Sequence, residues 1–230
     1  MIPEYDIGYG QTTSVEARNK VLQNTYALLG VSMIPTAIGA FLGKSVINFG
    51  FLAASPILSA LAFFGIMMLM FWGISANRNN AMGVVLLLLM TFFMGIMLGP
   101  ILQVAAKLRN GGELVTIAAG STALIFFGLS TYARVTKRDF SFLGNFLFVG
   151  VIALLVLSVA NMFFHLPLLH LLISAMAVMI FSLYILFDIK QIVDGGETNY
   201  VIATLQIYLD IYNIFVNLLQ LLMALFGQRD

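Results

Sequence analysis

Residues 204–225, TLQIYLDIYNIFVNLLQLLMAL, are long and apolar enough to cross a lipid bilayer as a single helix. The stretch nevertheless carries an acid, Asp210, near its middle. Burying a carboxylate at that depth costs at least about 2.5 kcal/mol. Ionisable residues inside membrane spans usually face the protein interior and serve its function. Asp210 is therefore the first candidate functional residue of the chain.

The composition of the whole chain is that of an integral membrane protein. Of its 230 residues, 61% are hydrophobic and only 9% are charged, against about 25% charged in soluble domains. The absence of cysteine excludes disulfides and thiol catalysis. The apolar runs are continuous rather than alternating, which excludes a β-barrel and predicts an all-α bundle. Seven spans are predicted, at about residues 22–43, 51–74, 81–106, 114–134, 142–164, 168–190 and 201–226.

The first residues differ in character from the rest of the chain. Residues 1–21 are polar and contain no apolar core of the kind a signal peptide needs. We expect them to form a polar cytoplasmic tail, followed by a single transmembrane domain at 22–230. The gaps between spans are short, so no extramembrane domain is predicted.

The distribution of lysine and arginine among the loops predicts the orientation of the chain. If the N-terminus is cytoplasmic and the C-terminus lies on the opposite side, seven basic residues face the cytoplasm and four face away. The cytoplasmic set is Arg18, Lys20, Arg78, Arg134, Lys137, Arg138 and Lys190, and the opposite set is Lys44, Lys107, Arg109 and Arg229.

Proline and glycine inside two of the spans predict local features of the bundle. Pro35 and Pro100 fall in the first and third spans, where each is expected to kink its helix. The segment GIMLG at 95–99 has a GxxxG spacing, which lets two helix backbones approach closely. We therefore expect the third span to pack tightly against a neighbour.

Polar residues in the seventh span recur at intervals of four and three, which places them on one side of a helix. Because lipid cannot satisfy polar groups, this polar stripe is expected to face the bundle interior or a wet cavity. An alternative role for the amides is hydrogen bonding between helices. Tyr208 and Tyr212 flank the acid and could donate hydrogen bonds to it. The stripe consists of Gln206, Asp210, Asn213, Asn217 and Gln220.

A second acid, Asp188, lies near the predicted cytoplasmic end of the sixth span. The glycines at 195–196 are a typical helix stop, and Thr198 or Asn199 is a suitable cap for the next helix. The two acids would then lie at similar depths on consecutive antiparallel helices. Two adjacent carboxyl groups cannot both ionise cheaply, so we expect them to share a proton.

This pair predicts a pH-gated pathway for cations or protons. Carboxylate, amide and backbone oxygens also suit Ca²⁺, so Asp188 and Asp210 are candidate calcium ligands. Arg78, the only charged residue in the second loop, could reach a carboxylate on the cytoplasmic side. Its alternative role is to anchor the loop on the positive side of the membrane.

Several segments resemble the Bax inhibitor-1, or transmembrane Bax inhibitor motif, family. The blocks ILFDIKQIVDGGETNY and YLDIYNIFVNLLQLL are similar to its closing signature, with an acid at the end of helix six and a Y-L-D-x-x-N-x-F core in helix seven. NTYALLG, LGPIL, GSTALIFFGLSTY, KRDFSFLG and NYVIAT resemble its bacterial inner-membrane branch, which includes the modulator of the FtsH protease.

The resemblance implies a seven-helix bundle with a central last helix, in a bacterial inner membrane. Some members are pH-sensitive calcium leaks whose sensor is an aspartate pair on helices six and seven, which corresponds here to Asp188 and Asp210, with Arg78 as the basic partner. An acid that some members carry in helix two has no match in residues 51–74. The protease-modulator branch implies instead a regulatory protein that binds FtsH through its accessible tail.

No enzymatic activity and no resident cofactor are expected, apart from calcium as a bound or transported ion. Aspartates on consecutive helices also suit an intramembrane aspartyl protease. However, Asp210 lacks the flanking glycines of the GxGD pattern typical of such enzymes. His165 and His170 flank a proline at a spacing that fits neither a zinc pair nor a proton relay.

Overall fold

The computed structural model describes residues 8–47, 49–50 and 55–228. The start of the predicted tail, the start of the second span and Arg229 lie outside these residues. Within them the chain forms seven helices long and apolar enough to cross a membrane, the third divided in two. The helices are α1 (Gly8–Ser45), α2 (Pro56–Ala76), α3 (Ala81–Met97), α4 (Gly99–Ala105), α5 (Gly111–Val135), α6 (Leu143–Phe164), α7 (Pro167–Asp194) and α8 (Tyr200–Phe226).

The first helix begins well before the predicted span. α1 starts at Gly8, so most of the predicted tail is helical rather than irregular. Residues 15–21, VEARNKV, contain no proline or glycine, and most of them are good helix formers. Polarity alone does not end a helix, and the assignment of 1–21 to a tail outside the membrane stays a prediction.

The two prolines have different effects. Pro35 lies inside α1 and does not end it. Pro100 stands in the first turn of α4, after the third span has been interrupted at Leu98. A proline is tolerated at that position because the first turn of a helix needs no backbone donor. The third span is therefore two helices, α3 and α4.

The GxxxG segment packs against a second pair of glycines in α1. A Cβ atom placed on Gly95 would overlap the backbone carbonyl of Thr36, and one on Gly99 would lie 2.7 Å from the carbonyl of Gly43. Gly39 in turn faces the carbonyl of Phe92. The two backbones thus approach as closely as glycine allows, which confirms the predicted tight packing of the third span.

The last helix is the centre of the bundle. α8 packs against α1, α2, α3, α4, α5 and α7, whereas α6 packs only on α7 among the described residues. Val201, Ile207, Ile214 and Leu219 of α8 are fully buried. Large apolar side chains cover the outside of the bundle; Leu124, for example, is 76% exposed. Such a surface is suited to lipid rather than water.

The loop between α7 and α8 sets how these two helices pair. α7 ends at Asp194, and Gly195 after it has the left-handed conformation (φ 85°) that favours glycine. Asn199 caps α8, its side chain accepting hydrogen bonds from the backbone of Val201 and Ile202. The same side chain donates to the Arg78 carbonyl and to the Asn79 side chain, which fixes the α2–α3 loop to the start of α8. The predicted helix stop and cap are confirmed.

We expect Gly95→Ala to destabilise the bundle by about 1–3 kcal/mol, because the added methyl group overlaps the backbone of α1. The measurement is thermal unfolding of the purified variant in detergent. Gly120→Ala in α5 is the matched control, since a Cβ there meets no atom within 4 Å. Equal losses of melting temperature in both variants would show that the α1–α3 packing is not tight.

Candidate functional site

Asp188 and Asp210 are in contact. The two side chains are within hydrogen-bonding reach of each other, and their exposed fractions are 7% and 5%. Asp188 lies about 9 Å before the end of α7, and Asp210 lies roughly 15 Å along α8 from its start. The short α7–α8 loop thus pairs the two helix segments that carry these carboxyl groups.

The contact between these two side chains bears on their protonation. Ionised carboxylates accept hydrogen bonds but cannot donate them. A hydrogen bond between the two therefore requires that one of them holds a proton. Asp210 Oδ2 is buried and accepts no hydrogen bond from a donor among the described residues. A buried oxygen without a donor costs about 1–3 kcal/mol, and a shared proton would relieve that cost.

Two further groups lie near the carboxyl pair. Tyr184, one helical turn before Asp188, is within electrostatic range of both acids. Glu197, in the α7–α8 loop, is within electrostatic range of Asp188 and accepts a hydrogen bond from the Asn199 backbone. Glu197 thus adds one negative charge near Asp188 at the α7–α8 loop.

Arg78 does not join the pair. It is exposed in the α2–α3 loop, and in the part of the chain that the structure describes the one ion pair is Lys190–Asp194. The contact of Arg78 with α8 is made by its backbone carbonyl, which accepts from Asn199. The Arg78 side chain lies at the surface, which agrees with its alternative role as a positive anchor of the loop.

Lys190 makes contacts that were not predicted from the sequence, where it counts only as one of the basic residues on the cytoplasmic side. In the structure its exposed fraction is 9%, and its ammonium group donates to the Thr136 carbonyl at 3.1 Å and pairs with Asp194 at 3.0 Å. It thereby joins α7 to the segment after α5. The spacing of Lys190 and Asp194, four residues apart before a helix stop, was the available signal.

The polar stripe does not face one cavity. Gln206 is exposed, contrary to the prediction, although Leu205 and Ile207 beside it are buried, so its side of α8 is uncovered at this level. Asn213 and Asn217 donate to backbone carbonyls one turn earlier in α8, so their polar groups are satisfied within the helix. Among the stripe amides that the structure describes, Gln220 alone is shown bound to another helix, accepting from Ser174 of α7. Asp210 is the stripe member that meets a second ionisable group.

Tyr208 also points away from the acid it was expected to assist. Its hydroxyl lies 2.9 Å from Thr36 Oγ1 and donates to the Thr91 carbonyl at 3.3 Å, which links α8 to α1 and α3. Tyr212 packs beside the Tyr208 ring. Thr36 and Thr91 were missed because a single threonine in an apolar span carries no distinctive pattern.

The structure offers limited support for a resident metal. Within residues 8–47, 49–50 and 55–228, no three histidine, cysteine, aspartate or glutamate residues are grouped so that they could hold a metal ion. Ca²⁺ takes six to eight oxygen ligands, so Asp188 and Asp210 would need backbone oxygens or water to complete a site. Their role as calcium ligands stays a prediction.

The sequence comparisons decide the family. The family model described as an inhibitor of apoptosis-promoting Bax1 matches residues 18–228, nearly the whole chain. The chain belongs to the Bax inhibitor-1 family. This confirms the resemblance drawn from the closing motifs, and the carboxyl pair of this Bax inhibitor-1 protein lies inside the matched region.

Three bacterial relatives illustrate the similarity. The modulator of FtsH protease YccA of Escherichia coli K12 is 40% identical over 220 residues, which are 95% of both chains. The inner membrane protein YccA of E. coli O6:H1 has the same identity and coverage. A membrane protein of Vibrio cholerae is 37% identical over 93% of this chain and 95% of its own length.

Replacing Lys190 by methionine should lower the stability of this Bax inhibitor-1 protein by about 1–3 kcal/mol, because the Thr136 carbonyl loses its charged donor and Asp194 its ion pair. Lys137→Met, at an exposed neighbouring lysine, is the control. Thermal unfolding in detergent measures both. Equal melting temperatures of the two variants would show that the Lys190 contacts do not contribute to stability.

Proposed function

We propose that this protein is a pH-sensitive cation leak of the bacterial inner membrane, conducting calcium or protons under the control of Asp188 and Asp210. The proposal is supported above all by the contact between two buried carboxyl groups on adjacent helices. Membership in the family makes the same residues the expected sensor.

The gating step follows from the shared proton. While one carboxyl group is protonated, the hydrogen bond holds the cytoplasmic half of α7 against α8. Loss of that proton leaves two negative charges, which at 4 Å repel by about 4 kcal/mol at an effective dielectric constant of 20. The helices must then separate or a cation must enter between the carboxylates. Glu197 adds negative charge on the same side and favours a cation.

The proposed orientation places the pair near the cytoplasm. With the N-terminus cytoplasmic and the C-terminus periplasmic, the α7–α8 loop, Arg78 and Arg134 all lie on the cytoplasmic side. The proton of the carboxyl pair would then exchange with the cytoplasm rather than the periplasm. The leak would therefore respond to cytoplasmic pH.

The test is ion flux from proteoliposomes from about pH 5 to about pH 8. Wild-type flux should increase severalfold as the shared proton is lost. In Asp188→Asn and Asp210→Asn the pair has only one acid, so we expect flux to depend only weakly on pH. Asp139→Asn, at an exposed acid in the α5–α6 loop, should keep the wild-type profile.

Unchanged flux and unchanged pH dependence in both pair variants would remove the basis for the proposal. Measuring calcium and proton flux separately, with a calcium indicator and a pH indicator inside the vesicles, identifies the conducted ion. A severalfold calcium response without a proton response would assign calcium.

A second candidate function is regulation of the membrane protease FtsH by direct binding. The observation that favours it is the 40% identity to the E. coli protein named as a modulator of that protease, over 95% of both chains. The N-terminal segment, on the proposed cytoplasmic side, is the candidate contact. Both functions are non-enzymatic, and one chain could perform both.

We expect deletion of residues 1–14 to abolish co-purification with FtsH and to change the turnover of the protein in cells. The shortened chain keeps Arg18, which packs against Gly195 in the α7–α8 loop. Deletion of residues 229–230, on the opposite side, is the control. Wild-type association after the N-terminal deletion would exclude this segment as the contact.

A further inference from the structure

A large cavity lies on the side of α8 away from the carboxyl pair. It has a volume of about 680 Å³ and is bounded by α1 on one side, α5 on the other and α8 at its base. α1 and α5 both pack on α8 but not on each other's backbone among the described residues. The cavity is therefore an open groove between two neighbouring spans, here called the α1–α5 groove.

The walls of the α1–α5 groove are apolar in spite of several hydroxyl groups. Thr122 and Thr131 donate to carbonyls one turn earlier in α5, and Thr36 donates to the Ser32 carbonyl. Tyr26 and Ser130 hydrogen-bond to each other across the groove. These hydroxyls have partners within the protein, so the surface offered to a ligand consists of methyl groups, aromatic rings and small residues such as Ala119 and Ala123.

One end of the α1–α5 groove is charged. Arg134 is the one charged residue among the described lining residues, and it lies one turn beyond Ser130. It is exposed, and in the described parts of the chain it forms no ion pair. An arginine at the end of a membrane helix reaches the headgroup region, where its guanidinium can bind a phosphate through two hydrogen bonds.

We propose that the α1–α5 groove binds an anionic phospholipid from the leaflet nearest Arg134. One acyl chain would lie along Ala119, Ala123 and Phe126, and the phosphate would contact Arg134. The charge at one end and the apolar length of the groove match the two parts of such a lipid.

A transmembrane helix of a partner fits the same space less well. A helix with its side chains is about 10–12 Å across, so 680 Å³ holds fewer than about two turns of it. The volume lies within the range of roughly 300–1,000 Å³ that small ligands occupy. An acyl chain is thin enough to enter where a helix is not.

The absence of native cysteine allows a test with one small label. In Ala123→Cys a fluorophore lies in the α1–α5 groove, whereas in Leu124→Cys it lies on the outer surface of the same helix. The purified full chain is reconstituted with brominated phosphatidylglycerol or brominated phosphatidylcholine, which quench nearby fluorophores. We expect the Ala123→Cys label to be quenched at lower mole fractions of phosphatidylglycerol than of phosphatidylcholine, and the Leu124→Cys label to show no preference.

The charge is tested in the same background. Arg134→Gln should weaken the preference for phosphatidylglycerol at the Ala123→Cys label by roughly fivefold, the change expected for one basic side chain at an anionic surface. Arg138→Gln, at an exposed arginine outside the groove lining, should leave it unchanged. Equal quenching of the Ala123→Cys label by both lipids, in the chain that keeps Arg134, would overturn the proposal.

Two other outcomes also contradict the proposal. If the Ala123→Cys label is not quenched by either lipid, the groove excludes acyl chains. If Ala123→Cys chains form disulfide-linked dimers in the membrane while Leu124→Cys chains do not, the occupant is a second copy of the protein. Neither result depends on ion flux, so the test is independent of the function proposed for the carboxyl pair.

Discussion

Unpaired polar groups in hydrocarbon cost several kcal/mol each, and the arrangement of this bundle follows from how its polar side chains find partners. Most of them do so within their own helix: Thr25, Ser32, Thr122 and Asn217, for example, donate to a carbonyl about one turn earlier. These side chains need no hydrogen-bond partner on a neighbouring helix. The carboxyl groups of Asp188 and Asp210 lie instead between two helices, close enough to share one proton. This contact joins α7 to α8.

The central position of α8 serves two sides of the molecule. One face carries Asp210 toward α7, and the other presents Tyr208 and Tyr212 to the α1–α5 groove. A rotation or shift of α8 would therefore alter both surfaces at once. The Tyr208 hydroxyl binds Thr36 and Thr91 and so couples such a motion to α1 and α3. The close glycine contact between α1 and α3 restricts their movement relative to each other.

Much of the fold and the centre of the site follow from the sequence. Long apolar runs define the seven spans, and the glycines at 195–196 with Asn199 determine how α7 and α8 pair. Contacts between distant segments were harder to predict. Arg78 was assigned to the acids because it was the only charge in its loop, but the loop is held by the Arg78 backbone instead. Gln206 shares a helical face with Asp210, yet helical periodicity says nothing about where along its length a helix is covered. The α1–α5 groove has no sequence signature, because it arises where the backbones of two helices stay apart and only a few side chains meet.

The central last helix has a consequence for how the protein is made. α8 supplies the surface on which α1, α3, α5 and α7 are packed, and it follows all of them along the chain. Until it enters the membrane, Asp188 has no carboxyl partner, although α1 and α3 can already pack through their glycines. The bundle is therefore completed only after α8 is inserted, in keeping with the two-stage view of membrane protein folding. A nascent chain interrupted before residue 200 would hold Asp188 in the bilayer without its carboxyl partner. An incomplete molecule would therefore differ from a finished one by an unpaired acid.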